Sequence, residues 1–206
     1  MARNQSPTIR LILDSQIWNL KKQLLFDEST NRPAYLGDYG EVVEVHQREF
    51  ALTSSRNPKP VLATHGVASC TGFAGWSQEH GVGFLAHYDA LTDLPASLEH
   101  LLYRVSESVQ HLPAKFEVRL LQGDWPDRQT MEFLKARLNM RDDISMKLVE
   151  EDVGGKMSKS IALDTRTGQT YTYNPMKNPN RGKVSRLDVI RILSGRSSAN
   201  LIYSPN

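Results

Sequence analysis

The chain has a single cysteine, Cys70, and residues 61–89 around it also hold three of its six histidines. A thiol and an imidazole can do nucleophilic chemistry if the fold brings them together. A free thiol titrates at about 8.5, so only a small fraction is thiolate at neutral pH. An imidazole within reach can take the proton, and the thiolate can then attack a carbonyl or carboxamide carbon. The oxyanion so formed needs backbone N–H donors. The small residues from Gly66 to Cys70 allow a bend that offers them, with Gly66, Ser69 and Cys70 as the candidate positions. His87 is the candidate base. A third group must orient the imidazole, and Thr64 and Asp89 both stand near enough in sequence. The competing reading is a buried structural cysteine among small apolar neighbours.

The elements around these residues decide whether they can meet. Residues 61–63 are an apolar run after Asn57-Pro58-Lys59-Pro60 and predict the start of a strand. Residues 73–76 and 82–88 predict two more strands, joined by a turn at Gln78-Glu79-His80-Gly81. Cys70 then lies at a bend entering one strand and His87 on its hairpin neighbour. Cross-strand side chains in a hairpin are within reach of one another.

Thr64-His65-Gly66-Val67-Ala68-Ser69-Cys70, followed by Gly83-Phe84-Leu85-Ala86-His87, resembles the chemoreceptor glutamine deamidase family, CheD. That family has Thr-x-Gly-x-Gly-Ser-Cys and then Gly-x-x-x-His after a short hairpin. Glu151-Asp152-Val153-Gly154-Gly155, Ser160-Ile161-Ala162-Leu163-Asp164 and Thr167-Gly168 resemble its closing segment and last hairpin. The likeness spans residues 41–173. Ala68 stands where the family has glycine, His65 where it commonly has an apolar residue, and the usual proline after the histidine is missing.

The resemblance implies a protein-glutamine deamidase, a hydrolase of carboxamide C–N bonds. Its Cys-His-Thr triad would be Cys70, His87 and Thr64. It implies chemoreceptors as substrates, a CheC-like phosphatase as regulator, a role in chemotaxis, and no cofactor. Two alternatives stand beside it. One is a non-catalytic binding or regulatory module of the same fold. The other is a deamidase effector acting on a different protein target.

The remaining sequence predicts an α+β fold, with layered mixed β-sheets flanked by helices. Residues 41–47 are a strand by β-branched content, which residues 50–52 could continue. A helix follows Thr92 or Asp93, with Pro95 in its first turn and an apolar stripe at Leu98, Leu101, Leu102, Val105 and Val109. Phe116, Val118 and Leu120 alternate as a half-buried strand. A helix starting at Asp127 turns Met131, Leu134 and Leu138 inward, and Ile144, Met146 and Leu148 form another strand. Residues 160–163 and 170–173 flank a hairpin turn. A short strand at 8–13 and a helix at 16–26 precede a polar linker. The basic loop with Lys177, Arg181, Lys183 and Arg186 precedes a helix at 187–193. This divides the chain into an N-terminal extension (1–39), a deamidase domain (40–175) and a basic loop with a C-terminal helix packed on the core (176–206).

The 206 residues are 39% hydrophobic and 23% charged, with a net charge of +2. That balance gives no global case for nucleic-acid binding. No apolar run is long enough for a membrane span and no leader is evident. One cysteine fits a reducing compartment, so a cytoplasmic protein is expected. The scattered histidines show no helical His-x-x-x-His spacing, and no metal site is expected.

Overall fold

The computed structural model describes residues 32–155, 158–179 and 195–204. The expected strand at 8–13, the helices at 16–26 and 187–193, and most of the basic loop lie outside the described residues. Ten strands form two mixed sheets: β1 Val42–Val45, β2 Glu49–Ser54, β3 Val61–Val67, β4 Thr71–Ser77, β5 Val82–Tyr88, β6 Ala114–Gln122, β7 Ile144–Val153, β8 Lys159–Asp164, β9 Thr170–Tyr171 and β10 Asn200–Tyr203. Two helices, α1 Leu94–Ser108 and α2 Arg128–Lys135, complete the α+β architecture among the described residues. None of the described helices is long and apolar enough to cross a membrane.

The smaller sheet has the order β1-β3-β8-β9 and the larger β10-β2-β5-β4-β6-β7. Strand alternation sorts their side chains into layers. Phe50, Leu52, Phe73, Phe84, Ala86 and Tyr88 point from the larger sheet onto the α1 stripe of Leu98, Leu101, Leu102 and Val105. Their alternates Ala51, Ala74 and Leu85 point the other way. They meet Val43, Val45, Leu62, Ile161 and Leu163 of the smaller sheet, and Cys70 lies in this inter-sheet layer. Tyr35, Val42, Ala63 and Tyr173 cover the outer face of the smaller sheet. Gly75 lets the Phe84 ring, its cross-strand neighbour in the larger sheet, lie across β4, because a Cβ there would stand 2.2 Å from that ring.

Both helices start where their caps direct. Asp93 accepts from the Ala96 N–H, and Asp127 from the N–H groups of Gln129 and Thr130. Helix α1 stops at Ser108, before Pro113, because Gln110 and His111 take left-handed backbone conformations. Leu138 falls beyond α2 yet still packs on the core.

Two strand expectations are corrected. Residues 50–52 do not continue β1. Arg48, at φ 56°, turns the chain between the sheets, so β1 pairs with β3 in the smaller sheet and β2 with β5 in the larger. The bend expected from Gly66 onward is partly strand. β3 runs to Val67 through a bulge between Thr64 and Val67, with Gly66 at φ 73° supplying the left-handed residue. The turn proper is confined to residues 68–70.

Candidate functional site

His87 is the last inward-facing residue of β5. It shares parity with Leu85, so its ring enters the inter-sheet layer. Thr64 shares parity with Leu62 on β3 and enters the same layer from the other sheet. The two meet there, Thr64 Oγ1 lying 2.8 Å from His87 Nδ1. The Thr64 hydroxyl spends its only proton on the Val45 carbonyl, at 2.7 Å. It therefore accepts at His87, and Nδ1 carries the ring proton. In the neutral ring this leaves Nε2 with a free lone pair, the form a general base requires. Nε2 is buried and has no hydrogen-bond partner among the described residues.

Asp89, the other candidate for orienting the ring, is taken up elsewhere. Its two carboxylate oxygens accept from Arg48 Nε at 3.0 and 2.9 Å. Arg48 also donates its backbone N–H to the His87 carbonyl at 2.8 Å, which fixes the end of β5.

Cys70 is the last residue of the turn, directly before β4, where Gly72 is paired with His87. Its Sγ accepts from Gln47 Nε2 at 3.3 Å. The thiol is 4% exposed. Cys70 is therefore buried, as the competing structural reading expects, whatever its chemistry. Burial pushes its pKa up, with a further rise from the Asp89 carboxylate, and the hydrogen bonds from Gln47 and Ser69 and the Arg48 charge only partly offset this. Because the Val67 and Leu121 side chains pack in the same cluster, the bend is closed over rather than open. The thiol and the imidazole are not hydrogen-bonded to each other in this conformation.

Of the candidate oxyanion residues, Ser69 and Cys70 sit on the turn and Gly66 lies in the bulged end of β3. The Gly66 carbonyl accepts from the Ala68 N–H at 2.9 Å, and the Ala68 carbonyl accepts from Gly123 at 3.0 Å, which docks the turn on the loop after β6. The Ser69 and Cys70 N–H groups donate to no backbone carbonyl among the described residues.

Burial drives the His87 pKa down to about 3, and His65 and His46 lower it further while Asp89 opposes. The unfolded chain therefore binds a proton at His87, between the ordinary value near 6.5 and 3, that the folded chain refuses. Stability is full above that window and falls as pH drops through it. By pH 5.5 this group alone should cost about 1.4 kcal/mol. Urea unfolding of wild type and His87→Asn at pH 7.5 and 5.5 checks this, the variant subtracting every other titrating group. Equal losses in both proteins would show that His87 is solvated.

Sequence reasoning missed Gln47, the donor to Cys70, and the Val45 carbonyl that fixes Thr64. Histidine spacing does not show what surrounds His46, whose ring in the structure lies beside Glu44 and His65. Glu44, His46 and His65 converge beside the site, their ligand atoms all within 4.8 Å of one another. Glu44 Oε1 lies 3.1 Å from His65 Nε2 and 3.5 Å from His46 Nε2. Burial alone would raise the Glu44 pKa, but hydrogen bonds from His65, Tyr173 and Asn178 outweigh it and hold the carboxyl at about 2. The only local signal was the polar His65 at a position where an apolar residue was expected.

No protein-family model matches the chain, and no curated protein matches it.

Proposed function

We propose that the chain is a cysteine amidohydrolase that deamidates glutamine side chains of a protein substrate. The observation that carries this reading is the Val45–Thr64–His87 relay, which leaves an unprotonated, partnerless Nε2 in the layer that also holds Cys70. In this reading Nε2 takes the Cys70 proton as Sγ leaves Gln47. The thiolate then attacks the glutamine carboxamide carbon, and the Ser69 and Cys70 N–H groups receive the oxyanion. The intermediate collapses by breaking the C–N bond, and the imidazolium protonates the departing ammonia. Water hydrolyses the thioester to glutamate, with His87 again accepting the proton. Because the thiol starts buried and uncharged, substrate binding has to open the turn at 68–70 before this transfer.

The glutamine specificity, and chemoreceptors as the substrate class, rest on the resemblance of Thr64 to Cys70 and Gly83 to His87 to the deamidase family. The test is to incubate the chain with a purified chemoreceptor cytoplasmic domain, then measure ammonia and the mass of receptor peptides. Each modified glutamine should gain about one dalton, as expected when a carboxamide becomes a carboxylate. Ammonia release without a mass change in the receptor would point to another target. Neither signal would sink the chemoreceptor reading.

Thr64→Val keeps the shape but removes the acceptor for Nδ1–H. We expect it to slow turnover by about 10- to 100-fold, on the scale of an orienting hydrogen bond of about 1.5–3 kcal/mol. Steady-state ammonia release should show the loss in kcat. An unchanged kcat would take the orienting role from Thr64.

A second reading, a non-catalytic module of the same fold, is favoured by one observation. Cys70 is engaged by Gln47, and its pKa is raised rather than lowered. It would leave the Cys70→Ser variant indistinguishable from wild type in any receptor-dependent assay.

A further inference from the structure

We propose that Glu44, His46 and His65 form a binding site for a divalent transition-metal ion of the zinc or cobalt class, on the outer face of the smaller sheet. The site shares no residue with Cys70, His87 or Thr64, and it does not depend on the deamidase reading.

Strand parity builds it. In β1, Val43 and Val45 face the inter-sheet layer, so Glu44 faces out. In β3, Leu62 and Thr64 face in, so His65 faces out beside Tyr173. β1 and β3 are parallel neighbours, with Glu44 opposite Ala63 and Val45 opposite Thr64. His46 follows β1 and sets its ring edge-on to His65, with centroids 5.8 Å apart. The three groups thus come from two adjacent strand ends.

The carboxylate is divided between two tasks. Oε2 is held by the Tyr173 hydroxyl and, at 2.9 Å, by Asn178 Nδ2. Oε1 is left to the two imidazoles. Outer donors that fix one carboxylate oxygen and orient the other toward nitrogen ligands are what a metal's supporting shell provides. An ion bound at about 2.0–2.1 Å needs ligand atoms about 3.3 Å apart for tetrahedral geometry. The two edges through Glu44 Oε1, 3.1 and 3.5 Å, already fit. The third edge, between the two imidazoles, lies within 4.8 Å. Two histidines and one carboxylate favour zinc, cobalt or nickel over calcium or magnesium, which prefer all-oxygen sets. The side chains of His46 and His65 are 35% and 18% exposed, so an ion has a path in and water can complete its coordination. Without an ion, His65 Nε2 is hydrogen-bonded to Oε1, and a bound metal takes the place of that proton.

The test uses the full chain. Zn²⁺ is titrated by calorimetry, and Co²⁺ is followed by its visible absorbance. One ion per chain should bind saturably. His46→Ala and His65→Ala should each weaken binding by about tenfold or more. Cys70→Ser should leave it unchanged, with no thiolate-to-cobalt charge-transfer band. Circular dichroism of the variants checks the fold, and both histidines are exposed enough for truncation to be tolerated. Glu44→Gln gives an independent variant of nearly the same shape that should also weaken binding. Three results would overturn the proposal. One is no saturable binding. Another is undiminished binding when both histidines are replaced. The third is a charge-transfer band that disappears in Cys70→Ser, which would put the ion on the thiol.

Discussion

Replacing Cys70 with serine should lower deamidation by about 10⁴-fold or more, and His87→Ala should do the same. Serine in this site is a far weaker nucleophile, because its hydroxyl is harder to ionise than the thiol and the site is buried. His87→Ala removes the proposed base and leaves Thr64 Oγ1 without its imidazole partner. Thiol and imidazole act as one unit, so the double variant should be no slower than either single one. Ammonia release and far-ultraviolet circular dichroism, measured together on the three variants, check this. Full activity in Cys70→Ser with an unchanged spectrum would end the deamidase proposal. Additive losses in the double variant would mean that the two side chains serve separate steps.

The largest stability effect should come from Arg48, not from the site itself. Its side chain is 1% exposed and grips both oxygens of Asp89, while it also donates to the Gly195 carbonyl and to Ser197 Oγ at 3.4 Å. It thus ties the crossover between the sheets to the end of β5 and to the segment leading into β10. Arg48→Met keeps the apolar stem but leaves Asp89 with no compensating charge in a part-buried position. A loss of about 3–5 kcal/mol is expected. Asp89 retains the Leu91 N–H and the Thr92 hydroxyl as donors, each at 3.0 Å, which places the loss toward the lower end. Urea unfolding at pH 7 measures it. Adding Asp89→Leu should recover part of the stability, since a buried pair replaced by apolar groups costs far less than a pair broken on one side. A loss below about 1 kcal/mol would mean that water reaches the carboxylate.

What the sequence determined by itself was local. The helix at α1 was legible because Leu98, Leu101, Leu102 and Val105 recur at helical spacing behind a capping Asp93 and an early proline. The hairpin of β4 and β5 was legible because its strands flank a short turn, and that set Cys70 near His87 in the chain. The α+β class followed from the order of such elements. Thr64, Cys70 and His87 could be named as candidates from residue type and spacing.

Tertiary structure decided everything that depends on which sheet a strand joins. The β-branched content of β1 and the aromatic content of β2 say that both are strands, but not that Arg48 sends them to opposite sheets. That choice is made by the burial of two separate apolar faces, which no local window contains. The same choice brings Thr64 from one sheet onto His87 from the other. It also closes the inter-sheet core over Cys70, and that burial raises the thiol pKa. And it turns Glu44, His46 and His65, unremarkable as scattered residues, to one outer face, because strand parity fixes a side chain's direction only once the register with its neighbour is set.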